Sequence, residues 1–196
     1  MDEIRNIEGL TLETREGKTM PVITGVPICF DKRSDDLGGF VEIVKPEAVT
    51  LGQRDVLALA HHDTAQVLGR QSSGTLTLTK DDTGIRMELA PPDTTVGRDI
   101  IESVRRGDIK GMSFGFRTRK DRWTFSAQDS KEPDLRELLD IDLREVSIVA
   151  FPAYPDTSVA VRSLEQARAQ IIPPAPVVVF DNRKHRQTIA EITAKF

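Results

Sequence analysis

Residues 75–89 read TLTLTKDDTGIRMEL, and this stretch decides the fold class. Apolar and polar residues alternate on both sides of KDDTG, whose Asp and Gly residues suit a tight turn. The pattern predicts a β-hairpin. A second hairpin is predicted at residues 10–23, around the turn Glu16-Gly17. Further strand-like runs occupy residues 56–60, 112–117, 123–125 and 141–150.

Helical patterns are fewer. Apolar residues recur at helical spacing in residues 95–106, between threonines that can cap the start and Gly107 just past the end. Shorter helices are predicted at residues 46–51 and 163–172, and a solvated loop of mixed charge at residues 117–122. Many short strands with few helices predict a β-rich α+β fold, either a barrel or a sandwich with helical cover.

Composition limits the function classes. The chain has 196 residues, a net charge of −4 and one cysteine, Cys29. Mild acidity argues against a partner such as nucleic acid or an anionic membrane surface. A single cysteine cannot form an internal disulfide or a cysteine-based zinc site, and it fits a reducing cytoplasm. The sequence contains no apolar run of about 18 residues, so we expect a soluble intracellular protein that does not span a membrane.

The composition of the chain changes near its C-terminus. Residues 173–176 read PPAP and are predicted to form a linker. The residues around and beyond it carry a net positive charge, opposite in sign to the body. We therefore predict a main domain at residues 1–162, followed at residues 163–196 by a helix, a proline-rich linker and a C-terminal tail.

The first stretch that could carry chemistry is AHHD at residues 60–63. Two histidines beside an aspartate could bind a metal ion. Neighbouring residues of a strand point to opposite faces, however, so His61 and His62 would not easily share one ion. No further His or Cys cluster completes a ligand set, and we predict neither a metal site nor a cofactor. The plain alternative is a polar strand end with two solvated imidazoles.

The second stretch is GMSFGF at residues 111–116. In a strand, Met112, Phe114 and Phe116 form one apolar face, and Ser113 lies between two glycines on the other. A serine flanked by glycines is open to close approach by another backbone, as a nucleophile attacking a peptide carbonyl must be. The alternative is a strand that merely tolerates small residues beside a neighbouring element.

The third stretch, residues 141–155, carries a carboxylate within an apolar run. Regular alternation would place Glu145 on the same face as Ile141, Leu143 and Val149. A carboxylate on an apolar face is costly unless it has a partner. That partner would be either a histidine N–H, which the carboxylate would orient, or one of the many arginines.

Together these stretches resemble one family, the prohead maturation proteases of tailed bacteriophages, which share a fold with herpesvirus assemblin. The motifs that carry the resemblance are HD at 62–63, LGR at 68–70, GMSFGF at 111–116, EVSIV at 145–149, PAYP at 152–155 and the weaker GFVEI at 39–43. They span roughly residues 5–162 and occur in the family's order. The resemblance implies a closed or partly open β-barrel with a few covering helices.

The resemblance also implies a serine endopeptidase that needs no cofactor. Carried over by position, Ser113 is the nucleophile, His62 the general base and Glu145 the third member of the triad. Asp63 is the alternative third member, and the doubled histidine makes His61 the alternative base. The implied partners are the major capsid protein, scaffold segments and the protease itself, which would self-associate and cut itself. Its implied location is the bacterial host cytoplasm, inside the phage procapsid, and its C-terminal tail is a candidate for removal by self-cleavage.

Two other functions compete with this prediction. One is a non-catalytic capsid assembly or scaffolding module with the same fold, which would have been free to lose a triad residue. The other is a metal-dependent hydrolase using His61, His62 and Asp63, whose activity a chelator would abolish. All three predicted triad residues are present, and this favours the protease.

Overall fold

The computed structural model describes residues 2–16, 20–127, 132–150 and 157–171. The strands are β1 (Glu3–Glu8), β2 (Thr11–Glu13), β3 (Val22–Cys29), β4 (Phe40–Val44), β5 (Leu57–Ala60), β6 (Asp63–Arg70), β7 (Leu76–Lys80), β8 (Gly84–Leu89), β9 (Gly111–Thr124) and β10 (Asp134–Val149). The helices are α1 (Thr95–Arg106) and α2 (Thr157–Ile171), and Pro46–Ala48 form one 3-10 turn. None of the helices in these ranges is long and apolar enough to cross a membrane.

Two sheets build the fold, and the long strand β10 organises the larger one. That sheet has the order β1-β9-β10-β5-β6, and β4 pairs with the first half of β10. β4 and β5 run parallel to β10, whereas β9 and β1 are antiparallel neighbours, so the sheet is mixed. The smaller sheet has the order β2-β3-β8-β7 and is antiparallel.

The β-rich α+β class is confirmed, but a closed barrel is not formed in the described part of the chain. β1 and β6 end the strand order of the larger sheet. β1 meets β4 through side chains, with Arg5 Nε bonded to Glu42 Oε1 at 2.7 Å, and not through a backbone ladder. In the described residues the larger sheet therefore stays open between β1 and β4.

The main core combines residues from both sheets. From the smaller sheet come Ile23, Ile28, Leu76, Leu78, Ile85, Met87 and Leu89, and from the larger sheet Met112, Phe114, Phe116, Val146 and Ile148. All are buried. This burial fixes which face of β9 and β10 points inward, and therefore which face remains for a site.

The β7–β8 hairpin is confirmed, and β2 and β3 pair antiparallel as the first predicted hairpin requires, while Gly17 of its predicted turn lies outside the described residues. The helix at 95–106 is also confirmed: Thr94 Oγ1 accepts a hydrogen bond from the Gly97 N–H, and Gly107 adopts the left-handed conformation at the C-cap. Local capping chemistry was sufficient for this helix because each signal lies within one turn of its end.

Three local predictions need correction. The helix at 46–51 is only the 3-10 turn at Pro46–Ala48. The C-terminal helix begins at Thr157, six residues before the predicted start. Residues 117–122 are not a loop but part of β9, because they pair with β10. Arg122 lies opposite Glu137 in this pairing, and its Nε donates to Glu137 Oε2 at 2.7 Å.

By its internal contacts the chain divides into two units, Met1–Leu164 and Glu165–Phe196. The first unit holds both sheets and α1. Within it, Ala160 and Leu164 of α2 belong to a small second core with Leu37 and Phe40. Of the second unit, the structure describes residues 165–171, and the predicted linker at 173–176 lies outside the described residues.

Candidate active site

A β-bulge decides which side chains of β10 face the site. The register of β9 and β10 shifts between Leu143 and Glu145, so Arg144 is the extra residue. Beyond the bulge Glu145 lies opposite Gly115, on the face away from the core. The prediction that Glu145 shares a face with Ile141 and Leu143 is wrong, because it assumed unbroken alternation. Leu143 lies opposite the core residue Phe116 instead.

The two histidines form the turn between β5 and β6. His61 and His62 have φ values of 52° and 62°, and both strands pair directly on either side of them. Two consecutive positive φ values are the signature of a type I′ hairpin turn. The expectation that these residues lie on opposite faces of a strand is therefore wrong. The His61 N–H donates to the Ile148 carbonyl at 3.0 Å, which ties the turn to β10.

This turn brings His62 against Glu145. His62 Nδ1 lies 2.8 Å from Glu145 Oε1. An ionised carboxylate only accepts hydrogen bonds, so Nδ1 is the donor when it faces one, and the neutral tautomer with its hydrogen on Nδ1 has Nε2 as the proton acceptor. Nε2 is buried and has no hydrogen-bond partner among the described residues.

Gly115 provides the space for this carboxylate. A Cβ atom added at Gly115 would overlap Glu145 Oε1, the oxygen bonded to His62. The small residues beside Ser113 predict the close approach of another backbone. The approaching group is a side chain from the neighbouring strand.

Ser147 is the residue that sequence analysis missed. Its Oγ donates to Glu145 Oε2 at 2.6 Å and accepts from the His62 backbone N–H at 3.3 Å. It is buried and lies directly opposite Ser113 in the β9–β10 register. Its position two residues after Glu145 was the available signal, since residues i and i+2 of a strand share a face.

Ser113 lies on the same face but is not bonded to His62. It is fully buried, and its Oγ donates to the Arg5 carbonyl at 2.9 Å. The structure therefore joins His62 to Glu145 and places Ser113 on the adjacent strand, opposite Ser147.

The alternative carboxylate, Asp63, is occupied elsewhere. It accepts from the Ala65 N–H at 2.8 Å and from the Gln66 side chain at 2.7 Å. The Ala65 N–H, followed by Gln66, holds the pKa of Asp63 below its ordinary value. Within the described ranges, no group of three or more His, Cys, Asp or Glu side chains is placed to hold a metal ion.

A buried ion-pair network holds β1 next to this site. Arg136 bonds Glu3 at 2.5 Å and Glu42 at 3.1 Å, and Arg5 bonds Glu42 at 2.7 Å. Burial would raise the pKa of Glu3, but the hydrogen bond and charge of Arg136, together with Arg5 and Thr118, outweigh burial and lower it. The network fixes Arg5, whose carbonyl receives the hydroxyl of the buried serine.

A cavity of about 590 Å³ adjoins this network, between β1 and β4. Its lining includes Arg5, Glu42 and Phe114 but none of the three predicted triad residues. Phe114 belongs to the core face of β9, so the cavity is distinct from the His62–Glu145 site.

A serine, a histidine and a glutamate on one side of a sheet are the side chains from which serine hydrolases are built. Comparison with protein families identifies the class: the family model described as caudovirus prohead serine protease matches residues 8–170. The chain belongs to this family and is a serine protease of the phage prohead. No curated protein and no solved structure matches the chain.

Proposed function

We propose that the protein is a serine endopeptidase in which Ser113 is the nucleophile, His62 the general base and Glu145 the residue that orients His62. The 2.8 Å contact between His62 Nδ1 and Glu145 Oε1 carries this proposal. It fixes the tautomer in which Nε2 can accept a proton. The buried, unpartnered Nε2 supports the same assignment, since a buried polar atom without a partner calls for a functional explanation.

The proposed reaction is acyl transfer in two stages. His62 Nε2 takes the proton of Ser113 Oγ as the oxygen attacks the peptide carbonyl carbon, and the same proton then passes to the amine as the C–N bond breaks. A water molecule next attacks the acyl-enzyme while His62 takes its proton, and Ser113 regains a proton as the new carboxyl product leaves. Glu145 stabilises the imidazolium in both stages.

We infer that this arrangement is a resting state of the proposed machinery. Ser113 Oγ donates to the Arg5 carbonyl, so this hydrogen bond must break before the hydroxyl proton can pass to His62. Catalytic hydrogen bonds are often absent or poorly aligned before substrate binds. Because Ser113 is fully buried, a peptide must also displace the groups that cover it. We infer that substrate binding, or assembly inside the prohead, provides both changes.

The substrates follow from family membership combined with the sequence resemblance. We propose that the enzyme cleaves scaffold and capsid-protein segments within the procapsid, in the bacterial host cytoplasm, and that it self-associates and cuts itself. Residues 163–196, which include PPAP at 173–176, are the proposed self-cleavage region. The resemblance to herpesvirus assemblin extends this proposal to the fold, with the opening between β1 and β4 making it a partly open barrel.

Intact-mass spectrometry over time tests the proposal. Wild-type chain and the Ser113→Ala variant are incubated alone and with the capsid protein of the same phage. We expect the wild type to cut the capsid protein, to lose part of residues 163–196, or both, and the variant to do neither. Equal cleavage by both chains would disprove the role of Ser113. An intact capsid protein and an intact wild type would favour the non-catalytic assembly module.

The Ser34→Ala variant is the matched control for this comparison. Ser34 also has a hydroxyl with two hydrogen bonds, accepting from the Glu42 N–H and donating to the Asp35 carbonyl, but it lies outside the site. The Ser34→Ala variant should cleave at the wild-type rate.

A further inference from the structure

We propose that Ser147 is a positioning residue for the His62–Glu145 pair. The inference rests on the proposed function, because it assigns a fourth member to the same machinery. Its basis is a closed ring of three hydrogen bonds. The His62 backbone N–H donates to Ser147 Oγ, Ser147 Oγ donates to Glu145 Oε2, and Glu145 Oε1 faces His62 Nδ1.

The ring gives one hydroxyl two separate tasks. By donating to Oε2, Ser147 holds the carboxylate plane so that the other oxygen, Oε1, points at the imidazole. By accepting the backbone N–H of His62, it holds the second residue of the left-handed turn against β10. A positive φ at a residue with a side chain needs such support, since it is seldom adopted without one. Loss of the hydroxyl would therefore loosen both partners at once.

Because it is buried, the Ser147 hydroxyl should contribute strongly to positioning Glu145. Ser147 is 1% exposed and Glu145 Oε2 has no other described hydrogen-bond donor, so water does not readily replace the hydroxyl. Hydrogen bonds to charged groups contribute more than neutral ones, and breaking one inside a protein leaves the charge undersolvated. We expect the Ser147→Ala variant to lower kcat by about 10- to 100-fold, the range such a bond supplies. KM should stay within about twofold, because the hydroxyl is bonded within the ring and not aimed at a substrate.

The experiment uses three variants of the full chain: Ser147→Ala, Ser147→Thr and the control Ser34→Ala. Ser147→Thr keeps the hydroxyl and should restore kcat to within about threefold of wild type. A merely structural role would make the larger threonine at least as harmful as alanine, since Ser147 is buried. Ser34→Ala should behave as wild type in every measurement.

A second readout does not depend on activity. The Nδ1 proton of a histidine bonded to a carboxylate gives a low-field proton NMR signal, and this chain has only three histidines, so variants of His61 and His185 assign it. We expect the His62 signal in the wild type, Ser147→Thr and Ser34→Ala, and its loss in Ser147→Ala through faster exchange with water. A signal that persists unchanged in Ser147→Ala would overturn the proposal.

The two readouts separate two possible failures. A wild type that cleaves nothing refutes the proposed protease function, yet the NMR signal still decides whether Ser147 positions His62. A wild type that cleaves, together with a fully active Ser147→Ala variant, refutes the role of Ser147 and leaves the triad assignment intact.

Discussion

Replacing Arg136 by Met should destabilise the protein strongly at neutral pH. The Arg136 side chain is only 4% exposed, and its partners Glu3 and Glu42 are equally buried. Removing one partner of a buried ion pair leaves an uncompensated charge, which costs about 3–5 kcal/mol. For a chain of this size each kcal/mol lowers the melting temperature by about 2–4 °C, so we expect a drop of about 6–20 °C.

The effect should depend on pH in a defined direction. Folding lowers the pKa of Glu3 from its ordinary value of 4.5, so the network's contribution is complete above pH 4.5 and declines as the pH falls through the folded-state pKa. In Arg136→Met the two largest effects that lower this pKa are gone, and burial raises it. The variant therefore accepts a proton on Glu3 more readily, and its deficit against wild type should shrink between pH 7 and pH 4.

The assay is thermal unfolding followed by circular dichroism at both pH values. Arg122→Met is the matched control, because Arg122 bonds Glu137 on the same strand pair but is 61% exposed. An exposed pair contributes about 0–1 kcal/mol, so the control should melt within about 4 °C of wild type. Equal losses in the two variants, or a deficit of Arg136→Met that grows on acidification, would refute the reasoning.

Three further predictions concern the site and its support. In Gly115→Ala the added Cβ displaces Glu145 Oε1, so the cleavage rate should fall at least tenfold, roughly the effect of losing one charged hydrogen bond. An unchanged kcat/KM would contradict this. Asn tolerates positive φ, so both His61→Asn and His62→Asn should keep the turn. His61→Asn should cleave at the wild-type rate, whereas His62→Asn should lower the cleavage rate at least about 100-fold. Comparable rates in the two variants would show that the base is misassigned. Thr94→Ala should cost about 1 kcal/mol through the lost cap of α1, lowering the melting temperature by about 2–4 °C in a calorimeter without changing cleavage.

Features that depend on local chemistry could be predicted from the sequence. The β7–β8 hairpin follows from its turn residues, and Asp81 indeed accepts hydrogen bonds from Thr83 and Gly84 in that turn. The Thr83 side chain and N–H lead the effects that lower the pKa of Asp81. α1 likewise follows from its caps. Such signals operate over three or four residues and need no knowledge of the rest of the chain.

Features that depend on distant partners could not be predicted in this way. β1 reads EIRNIE, and three of its six residues are charged. Glu3 is nevertheless buried, because Arg136 approaches it from 133 residues away along the chain. The contact between Ser113 and the Arg5 carbonyl spans 108 residues and has no local signal either. The motif order revealed the family, but the resting position of the serine hydroxyl emerged only from the packed sheet.

The bulge in β10 lies between these two cases, since its signal is present in the sequence but contradicts regular alternation. In IDLREVSI the apolar residues Ile141, Leu143, Val146 and Ile148 are spaced by two, three and two positions, and all four belong to the core. Unbroken alternation through Leu143 would have buried Glu145 in that core and turned Val146 outward, and both changes are unfavourable. One extra residue at Arg144 resolves the conflict and puts Glu145 and Ser147 together on the face of Ser113. The hydrophobic spacing that stabilises the sheet therefore also determines where the carboxylate of the proposed triad points.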